Sequence, residues 1–158
     1  MLEGSKERAA PGRHLEVTMA ADDPTKTMVR RYYAEVWEKG DPSGLEEFLA
    51  EDYEDHNPFP GLGADREGAA AMVSAVMADT TDVTMDVVHA IAEGDFVAAH
   101  WRMQWTQHGM FMGMIPAEGK QLTLEGHDFM RIADGRIAEI WHVEDVMSVM
   151  GQLGALNP

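Results

Sequence analysis

Cysteine is absent from the 158-residue sequence, which excludes disulfides, thiolate nucleophiles and cysteine-based zinc or iron-sulfur sites. Basic residues are scarce. Twelve Lys and Arg stand against 28 Asp and Glu, a formal net charge of -16 that repels nucleic acid phosphates and anionic membranes. No stretch approaches the ~20 apolar residues of a membrane span, and the opening MLEGSKERAAPGRHLEV is charged throughout, without the apolar run of a signal peptide. No GxGxxG, P-loop or GxSxG string occurs, so nucleotide cofactors and serine hydrolase chemistry have no support. The expectation is a soluble cytoplasmic protein with neither a nucleic acid nor a membrane partner.

What is present suits one domain with a single core. Residues 1–22 mix charge, Gly and Pro without periodicity and are expected to form a mobile leader, with the domain over 23–158. Asp23-Pro24 predicts a helix start, followed by Met28, Tyr32, Val36 and Val29, Tyr33, Trp37 at four-residue spacing until Gly40. Asp41-Pro42-Ser43 predicts a second, short helix through Leu45, Phe48 and Leu49, which leads into a polar run, 51–57, expected to stay out of the core. A third helix is predicted over 67–77.

From Val83 the period changes to two. Strands are predicted over 83–92 and 96–106, then over 121–132 and 137–146, the last pair joined at Asp134-Gly135, a strong hairpin signal. In the second of them Val97, Ala99, Trp101, Met103 and Trp105 alternate with Ala98, His100, Arg102 and Gln104. Three N-terminal helices packed on a curved antiparallel sheet make an α+β fold with a concave space between the layers for a small ligand.

Several strings, taken in this order, carry a resemblance: Asp52-Tyr53-Glu54-Asp55-His56-Asn57-Pro58, the loop 109–120, Phe129-Met130-Arg131-Ile132 with Asp134-Gly135-Arg136-Ile137, and the ending 141–145 followed by Gln152-Leu153-Gly154. The chain resembles the SnoaL-like polyketide cyclases, within the nuclear-transport-factor-two-like (NTF2-like) cone folds. The resemblance implies a ligand held in the mouth of the cone. It also implies a carboxylate on the last strand as general acid and base, which by position is Asp145. The family's aldol cyclases carry Gln and His just before their Met-Arg-Ile string, where this chain has Gly126 and Asp128. The family also contains hydroxylases of anthracycline-type polyketides.

Asp145 follows Trp141 and Val143 at two-residue spacing, which turns it toward the oily side if the strand continues; desolvation there would raise its pKa toward the operating pH. The alternative is a helix cap before Val146, Val149 and Met150. Asp128 shares parity with Met130 and Ile132 and is expected to face inward, hydrogen-bonded to a histidine, while His127 has the opposite parity and at most one of the two faces the cavity directly. His56, flanked by Asp55 and Asn57, would be a proton carrier at the rim or a surface histidine. Tyr33, Trp37, Trp101, Trp141, Met103 and Phe111 would line a flat aromatic pocket or simply fill the core. His142-Val143-Glu144 has the form of a His-x-Glu metal step, but its parity points it away from the expected pocket, so no metal and no cofactor is expected.

The catalytic expectation is therefore Asp145, Asp128 and His56, with Asp55, Asn57, Trp101, Trp141, Trp37, Tyr33, Met103, Phe111 and His127 around the substrate. The foremost functional reading is cofactor-free ring hydroxylation of an anthracycline-type aromatic polyketide in antibiotic biosynthesis, with a separate reductase supplying the reduced substrate. The alternatives are intramolecular aldol cyclisation, an isomerase like ketosteroid isomerase, which pairs an Asp base with a protonated Asp donor, and a non-catalytic ligand-binding module. A homodimer through the polar outer face of the sheet is expected.

Overall fold

Asp23 starts the first helix as its sequence dictates: the carboxylate accepts from the Thr25 backbone N–H at 2.9 Å, and Pro24 occupies the first turn, where its missing N–H costs nothing. In the computed structural model, which describes residues 23–117 and 119–156, helix α1 (Pro24–Tyr32) runs directly into a π-helical segment (Tyr33–Glu38). The expected leader, 1–22, lies outside the described residues. The wide π turn begins at Tyr33, and such turns occur often at functional sites. Gly40, at φ +66°, then ends the helix.

After a single 3-10 turn (Pro42–Gly44) and a one-turn helix α2 (Leu45–Phe48), the chain forms strand β1 (Leu49–Asp55). The sequence had placed this stretch among non-core loops, and the structure corrects that. β1 is an edge strand beside one neighbour, so it buries only Leu49, Ala50 and Tyr53 and leaves Glu51, Asp52 and Glu54 in water. Charge along an edge does not oppose strand formation; it protects the edge. Helix α3 (Arg66–Met77) follows, capped by the Asp65 carboxylate on the Gly68 N–H.

Strands β2 (Thr80–Glu93), β3 (Phe96–Gln107), β6 (Lys120–Ala133) and β7 (Arg136–Glu144) form the antiparallel body of the sheet, with a small hairpin, β4 (Met110–Phe111) and β5 (Ile115–Pro116), between β3 and β6. The order is β1-β7-β6-β3-β2, with β1 parallel to β7. Asp134 and Gly135 both have positive φ, +50° and +74°, the backbone of a two-residue type I′ turn. A short fourth helix, α4 (Val146–Gln152), ends the described chain. The fold is the NTF2-like α+β cone.

Alternation in β3 is strict: Val97, Ala99, Trp101, Met103 and Trp105 are all buried under the helices. Burying each of the larger ones contributes about 1.5–3 kcal/mol. Register shifts curve the sheet, among them a bulge in β2 between Val87 and His89 and a second in β7, where Ala138 is an extra residue opposite the Arg131–Ile132 step. The second decides which side chains of β7 face inward.

Candidate active site

Between the helices and the inner face of the sheet lies a cavity of about 230 Å3. Tyr32, Tyr33 and Trp37 enter it from the first helical segment, Trp101 and Met103 from β3, and Met72 and Val76 from α3. These walls are apolar and aromatic, suited to a flat, poorly hydrated ligand.

Asp128 on β6 is the buried carboxylate of this cavity, 7% exposed. The Tyr33 hydroxyl donates to its Oδ2, and Trp101 Nε1–H donates to Oδ1 at 2.9 Å. No histidine bonds to it, contrary to expectation; a tyrosine and a tryptophan reach it instead. Burial raises its pKa to about 6, against the hydrogen bonds of Tyr33 and Trp101 and the nearby charge of His142, all of which favour the anion. The Tyr33 hydroxyl is itself pushed well upward by burial and by the Asp128 charge, so it stays protonated and remains a donor.

Gly126 makes this arrangement possible. A Cβ there would lie 2.2 Å from the Trp101 ring, so only glycine lets the indole rest on β6 and turn its N–H toward Asp128.

Facing Asp128 across the β6–β7 ladder is His142. Its Nδ1 lies 2.6 Å from Glu144 Oε1, and its Nε2 lies 3.1 Å from Asp55 Oδ1. The bonds to Asp55 and Glu144 raise the imidazole pKa to about 10 against the effect of burial, so His142 is a cation at neutral pH and donates from both nitrogens. Asn57 braces the group: its N–H donates to Asp55 Oδ1 at 2.8 Å, and its side-chain oxygen accepts from the His142 backbone at 3.1 Å.

The structure thus gathers Asp128, Tyr33, Trp37, Trp101, Met103, Asp55 and Asn57, as the sequence predicted, and adds His142 and Glu144, which the sequence had pointed away. An unbroken hairpin from Asp134-Gly135 would pair Asp128 with Trp141. The extra residue Ala138 moves that pairing to His142, and a one-residue slip exchanges the faces of every later side chain. In the structure the bulge buries two successive residues at the strand start, Ile137 and Ala138.

The same slip turns Trp141 outward, and other expected residues also lie outside the cavity. Trp141 lies on the outer face, stacked on His56 at 4.1 Å, while His56 Nε2 bonds Glu139 at 2.8 Å. His127 is also on the outer face, exposed and stacked on His100. Asp145 is exposed and caps α4, accepting from the Ser148 N–H at 3.0 Å. Phe111 packs near Trp105, with ring centroids 6.5 Å apart, outside the cavity lining.

Among the described residues no helix is long and apolar enough to cross a membrane. No curated protein matches the chain, but solved structures do. TsrD from Streptomyces laurentii is 27% identical with a TM-score of 0.75, over 84% of this chain and 96% of that one. IdmH from Streptomyces antibioticus, a candidate polyketide cyclase, is 31% identical with a TM-score of 0.70, over 84% of this chain and 99% of its own. AclR from Streptomyces galilaeus, a candidate hydroxylase, shares the fold at 22% identity and a TM-score of 0.73, over 85% and 83% of the two chains. The model of the SnoaL-like polyketide cyclases matches residues 27–153, nearly the whole domain, and the chain belongs to that family.

Proposed function

We propose that this chain is an acid–base enzyme of polyketide tailoring, in which Asp128 removes a proton from an aromatic polyketide and His142 stabilises the oxygen anion that results. The observation that carries the reading is the pairing, on adjacent strands inside one apolar cavity, of a carboxylate with a pKa of about 6 and an imidazole held as a cation. A base needs a pKa near the working pH, and a charge developing on a carbonyl oxygen needs a fixed donor. Each Asp128 oxygen uses one lone pair on Tyr33 or Trp101 and keeps another for substrate.

Ring closure follows from this chemistry without a further reagent. Asp128 takes a proton from a carbon beside a carbonyl, the enolate attacks a second carbonyl of the same molecule, and the alkoxide recovers the proton, so mass is unchanged. Hydroxylation is the second reading, favoured by one observation: Gly126 and Asp128, with the Trp101 ring between them, stand where the family's aldol cyclases carry Gln and His. There the deprotonated substrate reacts with oxygen, and a reductant supplies the two electrons that send the other oxygen atom to water.

Incubation with a polyketide of the anthracycline type, with and without air and reductant, followed by mass spectrometry, separates the two. Product of unchanged mass under nitrogen is the expected outcome. A gain of one oxygen that requires air selects hydroxylation. Full turnover by Asp128→Asn would reject both.

A further inference from the structure

Tyr32 closes helix α1, and Trp37 lies five residues further on, inside the π-helical segment. Around an α-helix, residues five apart are turned about 140° from each other, so their side chains would diverge. In a π turn the hydrogen-bonded step is itself five residues long. Trp37 therefore comes round alongside Tyr32, and its indole N–H donates to the Tyr32 hydroxyl oxygen at 3.0 Å. The segment thereby brings Tyr32, Tyr33 and Trp37 into the cavity together.

The two adjacent tyrosines use their hydroxyls differently. Tyr33 donates its proton to Asp128. Tyr32, only 4% exposed, accepts from Trp37 on its oxygen, while its own O–H donates to no described residue. Burial pushes the Tyr32 pKa well up against the Trp37 bond, and the charges of Asp128 and Asp55 push the same way, so the hydroxyl keeps its proton. A buried donor without an acceptor is costly, and an N–H bonded to a hydroxyl oxygen polarises the O–H into a stronger donor. Tyr53 lines the cavity too, but among the described residues no side-chain hydrogen bond fixes its hydroxyl.

We propose that Tyr32, positioned by Trp37, donates a hydrogen bond from the helix wall of the cavity to a second carbonyl oxygen of the substrate, while His142 meets the first from the sheet. This rests on the acid–base reading and narrows its substrate to a flat aromatic with two carbonyl oxygens, one toward each wall. In ring closure the first oxygen is that of the enolate. The second belongs to the carbonyl under attack, and the Tyr32 O–H stabilises the alkoxide formed there until it recovers the proton that Asp128 took.

Infrared difference spectroscopy with 1,4-naphthoquinone, a flat two-ring probe with carbonyls on opposite edges, tests this directly; the chain has no thiol to consume the quinone. Hydrogen bonding lowers a carbonyl stretch, so two bands below that of the free quinone are expected in wild type. Tyr32→Phe, which removes one oxygen and keeps the ring, should return one band to the free position. Trp37→Phe should broaden that same band, and His142→Gln should release the other. With the anthracycline-type polyketide, Tyr32→Phe should lower turnover about 10²-fold and change KM less than about twofold. Fewer than two shifted bands in wild type, a spectrum unchanged by Tyr32→Phe, or full turnover by that variant where Asp128→Asn is inactive would each overturn the proposal and leave Asp128 as the base. Full turnover by Asp128→Asn would reject the acid–base reading and this proposal with it.

Discussion

The inner side of the sheet around β6 and β7 and its outer side are built from the same kinds of residue and do opposite things with them. Inside, Asp128 is buried and His142 lies locked between Asp55 and Glu144. Outside, Asp145 caps a helix in water and His56 lies flat on Trp141 against Glu139. Acid–histidine proximity in sequence therefore says little about chemistry here. Burial and the number of partners separate a carboxylate or imidazole with a shifted pKa from a surface contact.

The largest effect that would sharpen this contrast is on Asp128. Asp128→Asn should lower turnover about 10³-fold and abolish the acid limb of the rate–pH profile near pH 6, while circular dichroism shows the fold retained. Equal activity in the two proteins would erase the distinction between the faces.

His142→Gln comes next, with turnover expected to fall about 10²-fold through loss of the oxyanion donor. It should also cost about 3 kcal/mol in urea unfolding, since Asp55 and Glu144 would lose the cation between them. His56→Gln, its outer counterpart, should change neither turnover nor KM.

The two inner groups should also respond to pH in distinguishable windows. Folding raises the His142 pKa from 6.5 to about 10, so its contribution to stability is fully present below pH 6.5 and is lost as pH rises toward about 10. Folding raises the Asp128 pKa from 3.8 to about 6, so its contribution is present below pH 3.8 and is lost as pH rises through about 6. Asp128→Asn should accordingly unfold at higher urea than wild type at pH 7, at the same time as it is inactive. A less stable Asp128→Asn would mean that the ionised carboxylate is better compensated than its two hydrogen bonds imply.

The smallest expected effect is at the outer cap. Asp145→Ala should cost about 1 kcal/mol of stability and leave turnover unchanged; a loss of turnover would return Asp145 to the catalytic set.

Much of this architecture was legible because local chemistry agreed with the fold. Asp23-Pro24, Asp134-Gly135 and the strict alternation of β3 each specify one backbone, and that is what formed. Trp101 and Asp128 fell on the inner face by strand parity, and Tyr33 by the four-residue spacing of its helix. The cavity-facing half of β7 was not legible, because a bulge is a tertiary decision: it arises where curvature of the whole sheet demands an extra residue, and Ala138 carries no mark of it. Reading Trp141 and Val143 as inward was natural for apolar residues, but this sheet has two apolar faces, and period-two patterns cannot tell one from the other.

The contact between Gly126 and Trp101 constrains how such a site can evolve. With the indole lying where any side chain at position 126 would begin, a lineage could not acquire Gln at 126 and keep Trp101 in place; the tryptophan would have to shrink or leave first. The order of the two changes is thereby set by steric exclusion.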